Sequence, residues 1–272
     1  MQEGLKQGGL VSFWKGIAVS LVILSILFML TGCGGSNEEK GLTNEQAMKT
    51  IATGLEKRWD ITDSQAFKDD DTSASLKKAI QAEIDADASL KDAKFEDSKL
   101  QELVLSYINL LNDSMDVVDS YSYLSYEYSV KWTEVYNKRT ALIKVFVDDY
   151  GLTVGSKYKD TLDDLVKSGG VAQKNAAADE ALNGLFANTT FEKKSQGYGH
   201  YTYTAIVDNT SDYDFKDVSI ILALYDNDGV RANEAYANVN TWESGEKVKF
   251  EGYGDVDTSK IKVEISHYEV AD

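Results

Sequence analysis

The spacing of apolar residues changes once along this chain, and that change constrains the fold more than any other feature. Up to about residue 166, apolar side chains recur every three or four positions, which is the pattern of amphipathic helices. After about residue 185, they form short β-branched and aromatic runs separated by Gly, Asn and Asp. Helices followed by strands, without alternation between them, predict an α+β protein.

The first part is expected to be an α-helical bundle over residues 42–184. Thr43 to Gln46 fits a capping box at the start of the first helix, and Gly151 is placed to end a later one. The expected apolar stripes cover residues 47–59, 76–90, 100–118, 135–150 and 162–166, the last closed by Gly169 and Gly170. Residues 120–132 mix two-residue and three-residue spacings of aromatic side chains, so their secondary structure is ambiguous. Several amphipathic helices with short connections predict antiparallel packing.

The second part is expected to be a small antiparallel β-sandwich over residues 185–272. Strands are expected at residues 200–207, 218–225, 235–242, 247–253 and 260–268. The run 218–225 is apolar on both faces, as in a covered strand. Asp226 to Gly229 is a turn sequence. Short strands separated by turns at close intervals are typical of a sandwich.

Four short motifs in the second part occur in the order found in one known domain family. They are Leu222-Ala223-Leu224-Tyr225-Asp226 with Asp228-Gly229, Asn209-Thr210-Ser211 upstream, Gly245-Glu246-Lys247 downstream, and Phe250. Residues 185–272 therefore resemble the FxLYD domain of bacterial lipoproteins, with Leu222 in place of the phenylalanine as a packing variant. The resemblance implies an immunoglobulin-like sandwich on an exported lipoprotein, with no assigned catalytic residues.

The N-terminus has an apolar run at residues 16–29, preceded by Lys6 and Lys15 and followed by Leu30-Thr31-Gly32-Cys33. This segment resembles a bacterial lipoprotein signal peptide that ends in a lipobox. The resemblance implies cleavage between Gly32 and Cys33 and a diacylglyceryl group on the Cys33 sulfur. The run is shorter than the roughly 20 residues of a spanning helix. A plain cleaved signal and an uncleaved membrane anchor are the alternatives.

These features predict four segments: a signal peptide at 1–32, a flexible tether at 33–41, the helical domain at 42–184 and the β domain at 185–272. Cys33 is the only cysteine, so the mature chain can form no internal disulfide and must rely on its cores. The net charge of −17 opposes binding to nucleic acid and favours cationic partners. The expected location is the extracytoplasmic face of the cell membrane.

No pattern of catalytic or metal-binding residues is found in the sequence, so no enzyme activity, cofactor or metal is predicted. His200 and His267 have no ligand at useful spacing, and the common nucleophile, phosphate-binding and zinc motifs are missing. With Gly229 at position 6 of a calcium loop, Leu224 and Ala235 would fall at positions 1 and 12, where ligands are required. An envelope hydrolase would need several carboxylates in one cleft.

The aromatic residues Tyr126, Tyr128 and Trp132 are candidates for stacking against a sugar, and core packing is the alternative interpretation. The function expected overall is non-catalytic binding or scaffolding by a protein that a membrane lipid anchors through Cys33. Its partner would be an envelope protein or a cationic molecule, and no nucleic acid. The alternative is a solute-capturing lipoprotein that serves a transporter.

Overall fold

The computed structural model describes residues 41–258 and 260–271, so the predicted signal peptide, Gly32, Cys33 and nearly all of the tether lie outside the described residues. Helices precede two antiparallel three-stranded sheets, which confirms the α+β class. The described chain divides into two compact units, residues 41–174 and residues 175–271. Each unit is described by itself.

The described residues contain six α-helices. They are α1 (Asn44–Thr62), α2 (Gln65–Asp69), α3 (Ser73–Asp87), α4 (Ser98–Ser120), α5 (Tyr126–Tyr150) and α6 (Lys159–Ala187). The predicted capping box of α1 is confirmed, because the Thr43 hydroxyl accepts the Gln46 N–H and the Gln46 side chain accepts the Thr43 N–H. Gly151 ends α5 at φ 72°, as expected. The short helix α2 was not expected.

The prediction that Gly169 and Gly170 end a helix is wrong, because α6 continues through both residues to Ala187. Gly169 lies against α5 so closely that an added Cβ would overlap the carbonyl oxygen of Thr140. At Gly170, an added Cβ would lie no closer than 3.7 Å to another atom, which is ordinary contact. The close packing of α6 on α5 therefore requires a glycine at 169 and offsets its poor helix propensity, about 1 kcal/mol.

The helical unit has two groups of buried apolar side chains. The larger one includes Ile51, Leu55, Leu100, Leu111 and Phe146. The smaller one joins α3, α4 and the start of α5 and includes Leu76, Ile80, Val117, Tyr128 and Val135. Among the described residues, no helix is both long and apolar enough to cross a membrane.

The described part of the β unit has six strands. They are β1 (Glu192–Gly197), β2 (His200–Asp208), β3 (Phe215–Tyr225), β4 (Arg231–Trp242), β5 (Lys247–Gly254) and β6 (Lys260–Val270). One sheet has the order β1-β2-β5 and the other β4-β3-β6, with every pairing antiparallel. Five of the strands were expected, whereas β1 was not, because its side chains are all exposed and show no apolar alternation.

Both sheets and the end of α6 share one core. Trp242 and Phe250 are fully buried, and Phe186 of α6 packs its ring 5.1 Å from that of Phe250. Ala178 and Leu182 precede Phe186 at intervals of four residues, so one stripe of the helix enters the core. The β unit is thus closed along one side by a helix segment that belongs to the same compact unit.

Candidate functional site

A buried ionic cluster joins four helices of the first unit. Glu83 of α3 accepts hydrogen bonds from Arg58 of α1 at 2.9 Å and from Arg139 of α5 at 2.6 Å. The hydroxyl of Tyr107 on α4 also donates to Glu83, and the Arg139 guanidinium lies over the Tyr107 ring. Glu83 is fully buried, so its charge must be balanced by these partners rather than by water.

The two arginines decide the ionisation of Glu83. Burial alone would raise the pKa of this carboxyl, but the positive charges of Arg139 and Arg58, with the hydrogen bond from Tyr107, lower its pKa to about 2. Glu83 therefore remains a carboxylate across the physiological pH range. The cluster is a carboxylate between two guanidinium groups, which is a stable arrangement only while all three members are present.

Asp87 lies one helical turn beyond Glu83 and is in the opposite situation. Its side chain is only 1% exposed, and neither carboxyl oxygen has a hydrogen-bond partner. It packs against Gly54 of α1, where an added Cβ would lie 2.8 Å from Oδ1. Burial first, and the negative charge of Glu83 second, raise the pKa of Asp87 to about 8. At neutral pH this side chain is an uncharged acid.

This cluster is enclosed by the bundle and does not line an open cleft. Glu83 and Asp87 both have their carboxyl groups inside the helical unit, so a solvent-borne substrate has no direct path to them. Within residues 41–258 and 260–271, no group of three or more His, Cys, Asp or Glu side chains could hold a metal ion. The arrangement therefore acts on the packing of the helices. In the sequence, this cluster is indicated by the charged residues at positions 83, 87 and 139, each of which lies in an otherwise apolar stripe.

The aromatic residues proposed for sugar stacking are separated by the fold. Tyr128 is buried, with the Trp132 ring stacked 5.8 Å from it and the Tyr123 ring edge-on at 5.2 Å. Tyr128 is only 4% exposed, so it has no free face for a ligand. Tyr126 is 68% exposed on another face of α5. The structure places Tyr128 and Trp132 together and leaves Tyr126 apart from them.

The motif residues of the β unit tie two turns together. Asn209 is fully buried, and its side-chain amide donates to the carbonyls of Tyr213 and Trp242. Its side-chain oxygen accepts both the N–H and the hydroxyl of Ser211. The Asn209 backbone bonds to Gly245 and Glu246. These contacts join the turn after β2 to the turn before β5, so the asparagine and the Gly-Glu sequence are used for folding.

An open groove of about 680 Å³ lies between the last turns of α6 and one end of β2. Its helix side is formed by Ala181, Gly184, Leu185 and Asn188, and its strand side by Ile206, Val207 and Asp208. Thr189, Thr190, Thr210 and Ser211 complete the lining. Ile206 is 72% exposed at the edge of this groove. No local sequence pattern indicates this groove, because the groove depends on where β1 begins and on how far α6 extends.

The groove runs along a strand edge that has no partner among residues 41–258 and 260–271. β1 pairs with β2 only as far as Thr204, which lies opposite Glu192. Asn209 directs its backbone groups towards β5, so the alternation along an extended strand directs those of Asp208 and Ile206 to the opposite side. The described residues place no strand there. The N–H and C=O of Ile206 and the N–H of Asp208 therefore face the groove.

A second groove, of about 550 Å³, lies on the other side of α6 and borders the free edge of β6. Here the strand carries Lys260 and Lys262. Lys260 lies over the Tyr225 ring, and Lys262 pairs with Glu264. Charged lysines on an edge strand discourage the pairing of another strand. The two edges differ in this respect, since the groove beside β2 has no basic residue in its lining.

Comparison with known proteins found no matching family model and no matching curated sequence. The resemblance of residues 185–272 to the FxLYD domain therefore remains a prediction from the motifs, as does the lipobox. The described residues form an α+β protein that has a helical unit and a two-sheet β unit.

Proposed function

We propose that this chain is a lipid-anchored protein of the cell envelope that binds or scaffolds another envelope component and catalyses no reaction. Support for the anchor comes from residues 30–33, where Cys33 follows an apolar run and a lipobox-like sequence. Two acyl chains on Cys33 would hold the protein firmly, because each buried CH₂ contributes about 0.8 kcal/mol. The acidic chain then remains at the membrane despite repulsion from anionic lipids.

The observation that carries the binding role is the contrast between the two units. The buried group of ionisable side chains around Glu83 lies inside the helical unit, where Glu83 is paired with Arg58 and Arg139. An accessible feature of the β unit is the groove beside the unpaired backbone of Ile206 and Asp208. A strand edge next to a groove suits recognition of another chain better than chemistry on a small substrate.

The anchor is tested by replacing Cys33 with serine. Cys33→Ser removes the thiol to which a diacylglyceryl group would be attached, so labelling by radioactive palmitate should disappear and uncleaved precursor should accumulate. The measurement is labelling in growing cells followed by electrophoresis, with the wild-type chain as control. Persistent labelling of the serine variant would refute the anchor.

The binding role is tested by crosslinking the full-length chain in intact envelopes. The proposal expects a defined crosslinked partner that an unrelated lipoprotein with the same signal peptide does not capture. If both proteins return the same background, the proposed binding role is wrong.

A further inference from the structure

We propose that the groove between α6 and the edge of β2 binds an extended segment of another protein that carries lysine or arginine. The segment would add to the β1-β2-β5 sheet beyond the point where β1 begins. This inference rests on the proposed binding function and deepens it, because it names the surface and the chemistry of the partner.

The unpaired backbone groups of β2 can form hydrogen bonds with a partner segment in extended conformation. Ile206 presents one donor and one acceptor to the groove, and Asp208 presents a further donor. A peptide in β conformation offers complementary groups at the same spacing, which is the basis of strand addition to an exposed edge. Leu185 and Ile206 supply apolar surface on the two sides of the groove for a side chain of that peptide.

This edge lacks the lysines that protect the edges of β6 and β1. The edge of β6 carries Lys260 and Lys262, and the outer strand β1 carries Lys193 and Lys194. Lysines of this kind oppose pairing with another strand. The stretch around Ile206 has no such residue. The groove lies between a helix and a short strand, so it has room for a single extended segment and little room for a whole sheet.

The charge of the groove selects a basic segment. Asp208 is the one charged residue in the described lining, and it forms a largely exposed pair with Lys247 at 3.4 Å. Glu180 lies exposed on α6, one turn before Gly184. A lysine or arginine of the partner would compete with Lys247 for Asp208, because an exposed ion pair contributes little to stability. A second copy of the same chain fits less well, since two chains of net charge −17 repel each other.

Gly184 provides a variant that blocks the groove without disturbing the core. An added Cβ at this position would meet nothing within 4 Å, so the site is open. Gly184→Phe would fill the groove with a ring, while replacement of a helical glycine favours helix formation. Gly184→Ala is the matched control, because it makes the same backbone change and leaves the groove open.

The experiment measures binding of synthetic peptides to the full-length chain in detergent micelles. One probe is a capped peptide of about six residues that alternates valine and lysine, the length of a typical strand. A second has the same sequence with N-methyl groups on alternate backbone nitrogens, which removes hydrogen-bond donors and retains the charge. A third replaces lysine with glutamate. Fluorescence anisotropy reports each affinity.

Wild type and Gly184→Ala should bind the valine–lysine peptide equally. Gly184→Phe and the N-methylated peptide should each weaken binding about tenfold or more, as expected when backbone pairing is lost. The glutamate peptide should not bind. The inference is overturned if the wild type does not bind the first probe, if Gly184→Phe binds it as well as the control, or if methylation or glutamate has no effect.

Two further results separate this inference from the proposed function. If wild type and Gly184→Phe crosslink the same envelope partner equally well, the groove is not the binding surface although the binding role stands. If neither captures a partner, the binding role itself is wrong. A dimer in sedimentation velocity that Gly184→Phe dissociates would assign the groove to a second copy and overturn the choice of a basic partner.

Discussion

At the scale of single residues, the buried carboxylate of Glu83 balances the charges of two buried arginines in the helical unit. Glu83→Gln would leave Arg58 and Arg139 inside the bundle without a counter-charge, so the free energy of unfolding should fall by about 3–5 kcal/mol. Urea unfolding followed by circular dichroism at the helix band measures this loss.

The matched control for Glu83 is Asp164→Asn on α6. Asp164 pairs with Lys167 at the surface, where both side chains are about three-quarters exposed, so its loss should leave the unfolding midpoint unchanged. Equal effects of the two substitutions would show that the buried cluster contributes no more than a surface pair.

Asp87 makes stability depend on pH in the opposite direction from most carboxyl groups. Its pKa of about 8 in the folded chain exceeds the ordinary value of 3.8, so its contribution is fully present below about pH 4 and is lost as pH rises through 8. The slope is about 1.4 kcal/mol per pH unit in that window. Asp87→Asn should flatten it, as measured by urea unfolding at several pH values. An unchanged slope would contradict an uncharged Asp87.

In the β unit, the buried side chain of Asn209 holds two turns together. Asn209→Ala would leave the carbonyls of Tyr213 and Trp242 without their donor, at a cost of about 2–4 kcal/mol. Hydrogen exchange read by mass spectrometry should show weaker protection of β3 and β5. The control Asn240→Ala removes an exposed asparagine from β4 and should leave exchange unchanged. Matching exchange patterns in both variants would rule out this role for Asn209.

At the scale of elements, two adjacent glycines in α6 should respond differently to the same change. Gly169→Ala would force α6 away from Thr140 on α5 and should destabilise the helical unit by about 1–3 kcal/mol. Gly170→Ala has room and should be neutral or stabilising by up to about 1 kcal/mol. The helix-band unfolding midpoint separates them. A neutral Gly169→Ala would argue against the close packing of the two helices.

The same helix shows what local sequence could and could not predict. The apolar stripes, the Thr43 cap and the Gly151 stop were all recognisable, because each is set by residues within a few positions of one another. The Gly169-Gly170 pair was misinterpreted as a helix end, because the contact that makes Gly169 necessary comes from α5. Local propensity cannot include a neighbour that is distant in sequence.

Candidate sites were harder to predict for the same reason. Glu83 and Arg139 stood in apolar stripes, but their pairing spans 56 positions and depends on the packing of α3 against α5. The groove beside Ile206 depends on β1, whose exposed side chains have no apolar pattern. The motif residue Asn209 could be found from sequence, although its role in joining two turns required the structure.

At the scale of the whole molecule, each compact unit is stabilised from within. Cys33 is the only cysteine, so no disulfide reinforces either unit. The helical unit combines two apolar groups with the Glu83 cluster, and the β unit combines one core with the Asn209 junction. The net charge of −17 keeps copies of the chain apart and favours approach of a basic partner.

The uncharged carboxyl of Asp87 also makes folding a reaction that consumes a proton at neutral pH. The unfolded chain holds Asp87 ionised there, whereas the folded chain holds it protonated. Unfolding then releases that proton to the buffer, so the calorimetric enthalpy includes the buffer's own heat of protonation. Through Asp87, a lower pH therefore favours the folded state by mass action, in the same way that a bound ligand would.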